Sequence, residues 1–235
     1  MKFSALIPYK PNDFYRIKNL AIVKKRWQEK MPDVELIIGL NHDENFNKAK
    51  AINEAARKAT GDYFIIIDND IVFGTKLIDK IADIVMDYPW IIPWTRCCML
   101  SKEYSAKFYD DNVFVLPKKF SIREIEDHDI EIDEPNIDGP YMNVVSREAF
   151  AAIGGMDERF VEWGCEDVAM AIALTTLVGK PYRMNGQILH LYHDRNTNIT
   201  ECQNYKSNSE LCYRYRAAFG NRDAIKALIP ERNAQ

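Results

Sequence analysis

Residues 63–70 read Tyr63-Phe64-Ile65-Ile66-Ile67-Asp68-Asn69-Asp70, an apolar run closed by two carboxylates. An apolar stretch without polar alternation is the pattern of a strand buried on both faces, as in a parallel sheet covered by helices. The neighbouring sequence repeats that unit. Phe3 to Ile7 and Val34 to Ile38 are β-like, while Phe14, Ile17, Leu20, Ala21 and Trp27 recur at helical spacing, as do Ala51, Ile52, Ala55, Ala56 and Ala59. Leu77, Ile78, Ile81, Ala82 and Val85 form a third helical stripe. The βαβαβα series predicts an α/β fold with a mainly parallel sheet flanked by helices. Such sheets bind ligands beyond the carboxyl ends of their strands. Those positions are polar here: Pro8 to Asp13 after the first strand, Asn41 to Glu44 after the second, and Asp68, Asn69 and Asp70 after the third.

The chain has 235 residues with 31 Lys and Arg against 35 Asp and Glu, a formal charge of −4 that excludes a strongly basic nucleic-acid module. With 47% hydrophobic residues there is material for one large core, so one domain with a tail is expected. No window approaches the roughly 20 apolar residues of a membrane span. The amino terminus, Met1 to Pro8, lacks a signal peptide's longer hydrophobic region, so the mature chain is expected to begin here, in the cytoplasm. Cys97, Cys98, Cys165, Cys202 and Cys212 are an odd set without zinc-type spacing. They are expected to be reduced thiols rather than a disulfide framework.

Beyond residue 90 the alternation breaks. Residues 123–138 carry eight acids and one Arg, too charged for a core element, and predict an exposed loop. Tyr141 to Val145 is strand-like, Ser146 to Ile153 a short helix, and Glu166 to Val178 a longer helix ended by Gly179. Tyr182 to Tyr192 is strand-like with a turn at Asn185-Gly186, and Asn204 to Phe219 is helical in pattern.

Two constellations suit chemistry. Asp68-x-Asp70 at the end of a buried strand offers oxygen ligands of the kind that bridge Mg²⁺ or Mn²⁺ to a substrate's phosphates. The same triplet also serves as a turn or helix cap in many proteins. Gly154 to Asp167 combines glycines that permit close backbone approach, Trp163 as a flat apolar face, and Glu166-Asp167 at a helix start. That suits a sugar site, although two acids there also merely improve a helix start.

Taken in order, Lys50-Ala51-x-Asn53, Ala59-x-Gly61-Asp62-Tyr63, the apolar strand with Asp68-x-Asp70, Gly-Gly-x-Asp-Glu-Arg-Phe at 154–160 and Trp-Gly-x-Glu-Asp at 163–167 resemble the GT-A nucleotide-sugar glycosyltransferases. The second half is most similar to β-1,4-galactosyltransferases, bacterial chondroitin polymerases and polypeptide N-acetylgalactosaminyltransferases. The resemblance covers roughly residues 3–195. It implies a mixed, mainly parallel Rossmann-like sheet in one GT-A domain over 1–200, with a nucleotide-binding half at 1–95, an acceptor half at 96–200 and a helical extension at 201–235.

The resemblance also implies roles. Pro8, Tyr9 and Lys10, with Asp43, match the segments that hold the nucleotide base. Asp68 and Asn69 match the ribose or donor-sugar contacts, while Asn53, Gly139, Gly155 and Trp163 fall in the donor and acceptor segments. Asp70, with Asp68, matches the metal-binding acids. His193 takes the place of the metal-binding His, and His190 that of a metal-binding Met. Asp167 matches the general base of inverting members, beside Glu166. Mn²⁺ or Mg²⁺ and a UDP-sugar are the implied cofactor and donor. The implied acceptor is a glycan, wall polymer, glycolipid or modified nucleic acid, with Tyr104, Tyr109, Trp90, Trp94 and Trp163 either stacking faces or core.

The sequence departs from the pattern at Gly39-Leu40-Asn41-His42-Asp43, which lacks Asp-Asp-x-Ser, and at Val168-Ala169, where further acids are absent. The cysteine pattern suits a bacterial or phage enzyme. Retaining members share the same motifs, so stereochemistry stays open. A sugar-phosphate nucleotidyltransferase would want a glycine-rich loop after the first strand, which Pro8 to Asp13 lacks, and a degenerate carbohydrate-binding protein would not need all four of Asp68, Asp70, Asp167 and His193.

Overall fold

Strand β1 (Phe3–Tyr9) is buried along its whole length because both faces are covered and both edges paired. It runs parallel to β2 (Glu35–Leu40) on one side and β3 (Tyr63–Ile67) on the other. The computed structural model describes residues 1–11, 13–110, 125–129, 141–162, 164–194 and 203–231. The connections are α1 (Phe14–Lys30), N-capped by Asp13, and α2 (Lys48–Lys58), N-capped by Asn47. Because β2 and β3 flank β1, right-handed crossovers put α1 and α2 on opposite faces and open a crevice at the carboxyl edge. Helix α2 lies flush on β2, where a side chain at Gly39 would collide with the Ala51 carbonyl.

The chain continues through β4 (Ile71–Phe73), α3 (Lys76–Ile84), β5 (Trp90–Ile92), β6 (Arg96–Leu100), α4 (Lys102–Asp110) and β7 (Ile125–Asp129). Then follow β8 (Met142–Ser146), α5 (Arg147–Ala152), α6 (Glu166–Leu177), β9 (Tyr182–Arg183), β10 (Gln187–His190), α7 (Tyr205–Ala217) and α8 (Arg222–Glu231). Six strands form the main sheet in the order β2-β1-β3-β8-β5-β9, and β4-β10-β6-β7 form a second. Three of the five main-sheet pairings are parallel, with β8 antiparallel to both β3 and β5. The sheet is therefore mixed and mainly parallel, with helices on its faces. No helix among the described residues is long and apolar enough to cross a membrane.

Two expectations are corrected, on the acidic stretch and on the cysteines. The acidic stretch is not loop throughout, since residues 125–129 pair antiparallel with β6 as an edge strand; charge is tolerated at a sheet edge. The 182–192 stretch is strand on either side of its turn, as expected, with β9 joining the main sheet and β10 the second. Of the two readings open for Trp90 and Trp94, both side chains are core, about 1% exposed, with indole N–H groups donating to Asn143 Oδ1 at 3.1 Å and Met142 O at 3.0 Å. Cys165 and Cys212, 47 residues apart, are joined as a disulfide between the start of α6 and α7, while Cys97 and Cys98 are buried on β6. Sequence spacing alone carried no sign of that pairing.

The C-terminal helices are tied to the segment that precedes α6. Asp157 is buried, accepting from Arg159 Nη2 at 2.7 Å and Nε at 3.0 Å and from the Tyr215 hydroxyl at 2.8 Å. The same Arg159 donates to Leu228 O at 3.3 Å, so one carboxylate locks residues 154–160 to α7 and α8. Breaking a buried ion pair strands the remaining charge, so Asp157→Ala should cost about 3–5 kcal/mol in urea unfolding. Tyr215→Phe, which removes one hydrogen bond, should cost about 1–3 kcal/mol. Equal losses for the two variants would mean that Asp157 is not the anchor.

Candidate functional site

Residues 68–70 leave β3 as a tight turn, with Ile71 N donating to Asp68 O at 3.2 Å and Asp68 N to Tyr141 O at 3.0 Å. The turn sends the two carboxylates to different partners, whereas continued strand alternation would turn both to one side. Asn69 between them is buried and donates to Arg16 O at 3.4 Å, holding the turn against the first turn of α1.

Asp70 faces β10. Strand β10 runs antiparallel to β4, with His190 opposite Ile71 and Leu191 N donating to Asp70 O at 2.8 Å. Pairing thereby delivers His190, and His193 three residues on, to the acid at the same end of the ladder. His190 Nε2 lies 3.6 Å from Asp70 Oδ1 and His193 Nε2 3.5 Å from Asp70 Oδ2. Each Nδ1 lies 2.9 Å from a backbone carbonyl, of Leu191 and Asp194 respectively. A carbonyl only accepts, so the hydrogen-bond network assigns the proton to each Nδ1 and turns each Nε2 lone pair toward the carboxylate.

Lone pairs therefore face a carboxylate whose Oδ1 is buried without a hydrogen-bond partner. Acceptors converging on acceptors is an arrangement a cation satisfies, and Nδ1–H to carbonyl bonds are the usual means of orienting metal-binding imidazoles. Among the described residues, Asp70, His190 and His193 are the one group of three whose ligand atoms all lie within 4.8 Å of one another. Burial alone would raise the Asp70 carboxyl; positive charge on His190 and His193 in their protonated form, with Arg16 and Lys48 farther off, outweighs this and holds it below the ordinary value. Asp68 does not join this group.

Asp68 instead accepts from Lys48 Nζ at 2.8 Å. The same ammonium lies 2.8 Å from Asp167 Oδ2 and 3.8 Å from Glu166 Oε1. Lys48 is in the first turn of α2, and Glu166 and Asp167 open α6, so three elements meet on one cation. Burial pulls the ammonium's pKa down, yet Asp167, Asp68 and Glu166 outweigh that and hold it well above an ordinary lysine. Burial pushes Asp167 up, Lys48 opposes this, and Glu166 and Asp68 add to it, leaving Asp167 at about 7. Such a carboxylate can exchange a proton near neutral pH. Lys48 was missed in the sequence because a lysine one residue past a helix N-cap looks like solvated surface.

The other expected residues divide by place. Pro8, Tyr9, Lys10 and Asp43 gather at the carboxyl edge of β1 and β2: Lys10 Nζ donates to Asp43 O at 2.7 Å, and the Asp43 carboxylate accepts from Lys50 Nζ at 2.9 Å. Asn53 lies farther along α2, and its amide is committed to residues 156–158, donating to Met156 O and accepting from Met156 N, both at 2.9 Å. Gly155, at φ +75°, packs against that amide, and both line a cavity of about 480 Å³ with Arg57, Arg147 and Phe150. The structure thus ties Asn53 and Gly155 to each other and to residues 156–158. Gly139 and Trp163 lie outside the described residues.

Residues 21–125 match the family model for glycosyl transferase family 2, and residues 123–194 match that for the N-terminal domain of galactosyltransferase. No curated protein matches the chain. Among solved structures it is similar to the catalytic domain of Drosophila β1,4-galactosyltransferase 7 in complex with xylobiose, at 18% identity over 89% of this chain and 79% of that one, with a TM-score of 0.52. A mutant of that enzyme in complex with manganese, UDP-Gal and xylobiose aligns at 20% identity over 88% and 79%, with a TM-score of 0.53. Staphylococcus aureus TarS, residues 1–349 in complex with UDP-GlcNAc, aligns at 12% identity over 99% and 72%, with a TM-score of 0.54. At those identities the structural likeness establishes the fold. The two adjoining glycosyltransferase family matches, spread over 21–194 of a chain with that fold, make this protein a GT-A glycosyltransferase.

Proposed function

We propose that the chain transfers a sugar from a UDP-sugar to an acceptor hydroxyl in one inverting step, with a divalent ion at Asp70, His190 and His193 and Asp167 as general base. The observation that carries this reading is the meeting, at one sheet edge, of a convergent metal-ligand group with a carboxylate near pH 7. Manganese and UDP-Gal in one similar structure, and UDP-GlcNAc in another, support the choice of ion and donor. Two imidazoles with one carboxylate suit manganese better than magnesium, which prefers oxygen ligands throughout.

Pro8, Tyr9, Lys10 and Asp43 would hold the base, and Asp68 and Asn69 the ribose and donor sugar. Gly139 and Trp163 are kept as donor and acceptor contacts. An ion at the triad would neutralise charge developing on the departing diphosphate. Lys48 holds Asp68, Glu166 and Asp167 in fixed relation and takes up Asp167 Oδ2, which leaves Oδ1 for the acceptor proton. Glu166 beside it would bind a sugar hydroxyl. Xylobiose in the similar Drosophila structures supports a glycan acceptor.

Two experiments test the reading. Thermal melting against UDP-, GDP-, TDP- and CMP-sugars should show a rise with UDP-sugars that requires Mn²⁺, because a ligand of the native state stabilises it by mass action. Asp70→Ala should abolish the manganese-dependent part; a shift of wild-type size in that variant would remove the metal assignment. With the donor found, kcat/KM should fall about tenfold per unit below the Asp167 pKa, since only the ionised carboxylate accepts a proton. That places the acid limb at about 7. Asp167→Asn should keep donor binding and lose transfer, and Lys48→Met should move the limb to higher pH by removing the charge that lowers Asp167. A limb unmoved in Lys48→Met would place the base elsewhere, and NMR of the product's anomeric centre reads inversion directly.

A further inference from the structure

The chain carries a net charge of −4, yet α1 holds Arg16, Lys18, Lys24, Lys25, Arg26 and Lys30 against a single acid, Glu29. Its buried side is accounted for by Asn19, Val23 and Trp27. The opposite face exposes Phe14, Ile17, Lys18, Ala21, Lys24, Lys25, Gln28 and Glu29, with Glu29 Oε1 3.8 Å from Lys25 Nζ. At about 100° per residue, Ile17, Gln28, Ala21 and Phe14 follow one another across that face, with Lys24 beyond Ile17 and Lys25, Lys18 and Glu29 beyond Phe14. Phe14 is 61% and Ile17 51% exposed, among the most exposed large apolar side chains described. Helix α4 packs beside α1 and adds exposed Lys102 and Lys107, with one exposed acid, Glu103, beside Lys102. Lys102 Nζ sits 5.3 Å from the Tyr15 ring and Lys18 Nζ 5.2 Å from the Tyr109 ring, which ties the two helices into one surface.

We propose that this face of α1, with its border on α4, docks the protein on a membrane surface bearing anionic lipid headgroups. A band of apolar side chains with lysines on both borders is the pattern of a helix lying in the interface plane, with the rings and branched chains at the acyl boundary and the ammonium groups among the phosphates. Charge complementarity selects an anionic surface, and the shape selects a lipid one. The face is convex, and Phe14 and Ile17 offer no hydrogen bonds. One side of the Phe14 ring is covered by Lys18 Nζ at 4.5 Å, so it is poorly placed to stack on a sugar. A soluble acidic polymer would use the lysines and leave Phe14 and Ile17 idle. Helix α1 starts at the carboxyl edge of β1, so docking through it would keep the mouth of the site at the lipid surface. The inference is independent of the sugar-transfer reading.

The test is co-sedimentation of the full chain with vesicles of phosphatidylcholine alone and of phosphatidylcholine mixed with phosphatidylglycerol, at low and high salt. Binding to the mixed vesicles only, weakened by salt, is expected. Each lysine near an anionic surface is worth about fivefold in partitioning, so Lys18→Glu with Lys24→Glu and Lys25→Glu should lower it at least about tenfold. Phe14→Ser with Ile17→Ser should also lower it, while Lys206→Glu with Arg216→Glu on α7 should not. All these side chains are exposed, so unchanged melting certifies the fold of each variant. Absence of wild-type binding would overturn the proposal, as would equal loss in the α7 variant. It would also fall if dextran sulfate bound as tightly as vesicles and the Phe14 and Ile17 changes had no effect, which would assign the face to an acidic polymer.

Discussion

One buried ammonium group organises the carboxyl edge of this protein. Lys48 stands in the first turn of α2, where a cation opposes the helix dipole, and the sequence places no acid in that turn to compensate. Compensation comes from elsewhere in the chain: Asp68 from the end of β3 and Glu166 and Asp167 from the start of α6. Without the lysine, three carboxylates would share a small, mostly buried space and could not all ionise. Without the carboxylates, the lysine would be a buried charge with no partner. Each side therefore specifies the position of the other, and the relation between α2, β3 and α6 follows.

The separation of Asp68 from Asp70 has a chemical use. A strand would have turned both acids to one side; the tight turn sends one to Lys48 and the other to two imidazoles. Two electrostatic environments thus arise two residues apart, one built around a fixed internal cation and the other around converging lone pairs. Arg16 and Lys48 both act on Asp70 from a distance, so the two environments remain within reach of each other.

The sequence made the first half legible because strands buried on both faces read as apolar runs and helices as stripes. The boundaries of β3 came out as expected, and those of β1 and β2 within two residues. Short strands were hidden: β4, β5 and β6 have three to five residues, too few to show a period. The acidic edge strand was masked by its composition. At the site, Asp70, His193 and Asp167 were readable as chemistry in motif order, whereas Lys48 was not, because burial of a lysine depends on partners 20 and 119 residues away. The Cys165 to Cys212 bond was illegible for the same reason: proximity comes from the packing of α6 against α7.

The pairing of β4 with β10 has a consequence for the order in which the protein is made. Asp70 and His190 are separated by 120 residues of chain, and their meeting depends on a three-residue ladder. During synthesis, β1, β2 and β3 can pair as soon as residue 67 has emerged, since their contacts close within the first third of the chain. The triad cannot exist until β10 has been delivered and registered against β4. A nascent chain would thus hold a largely formed sheet with one of its three converging ligands, and long-range closure of this kind is the slow part of folding. The convergence of these three side chains is acquired near the end of assembly, at the moment the second sheet closes.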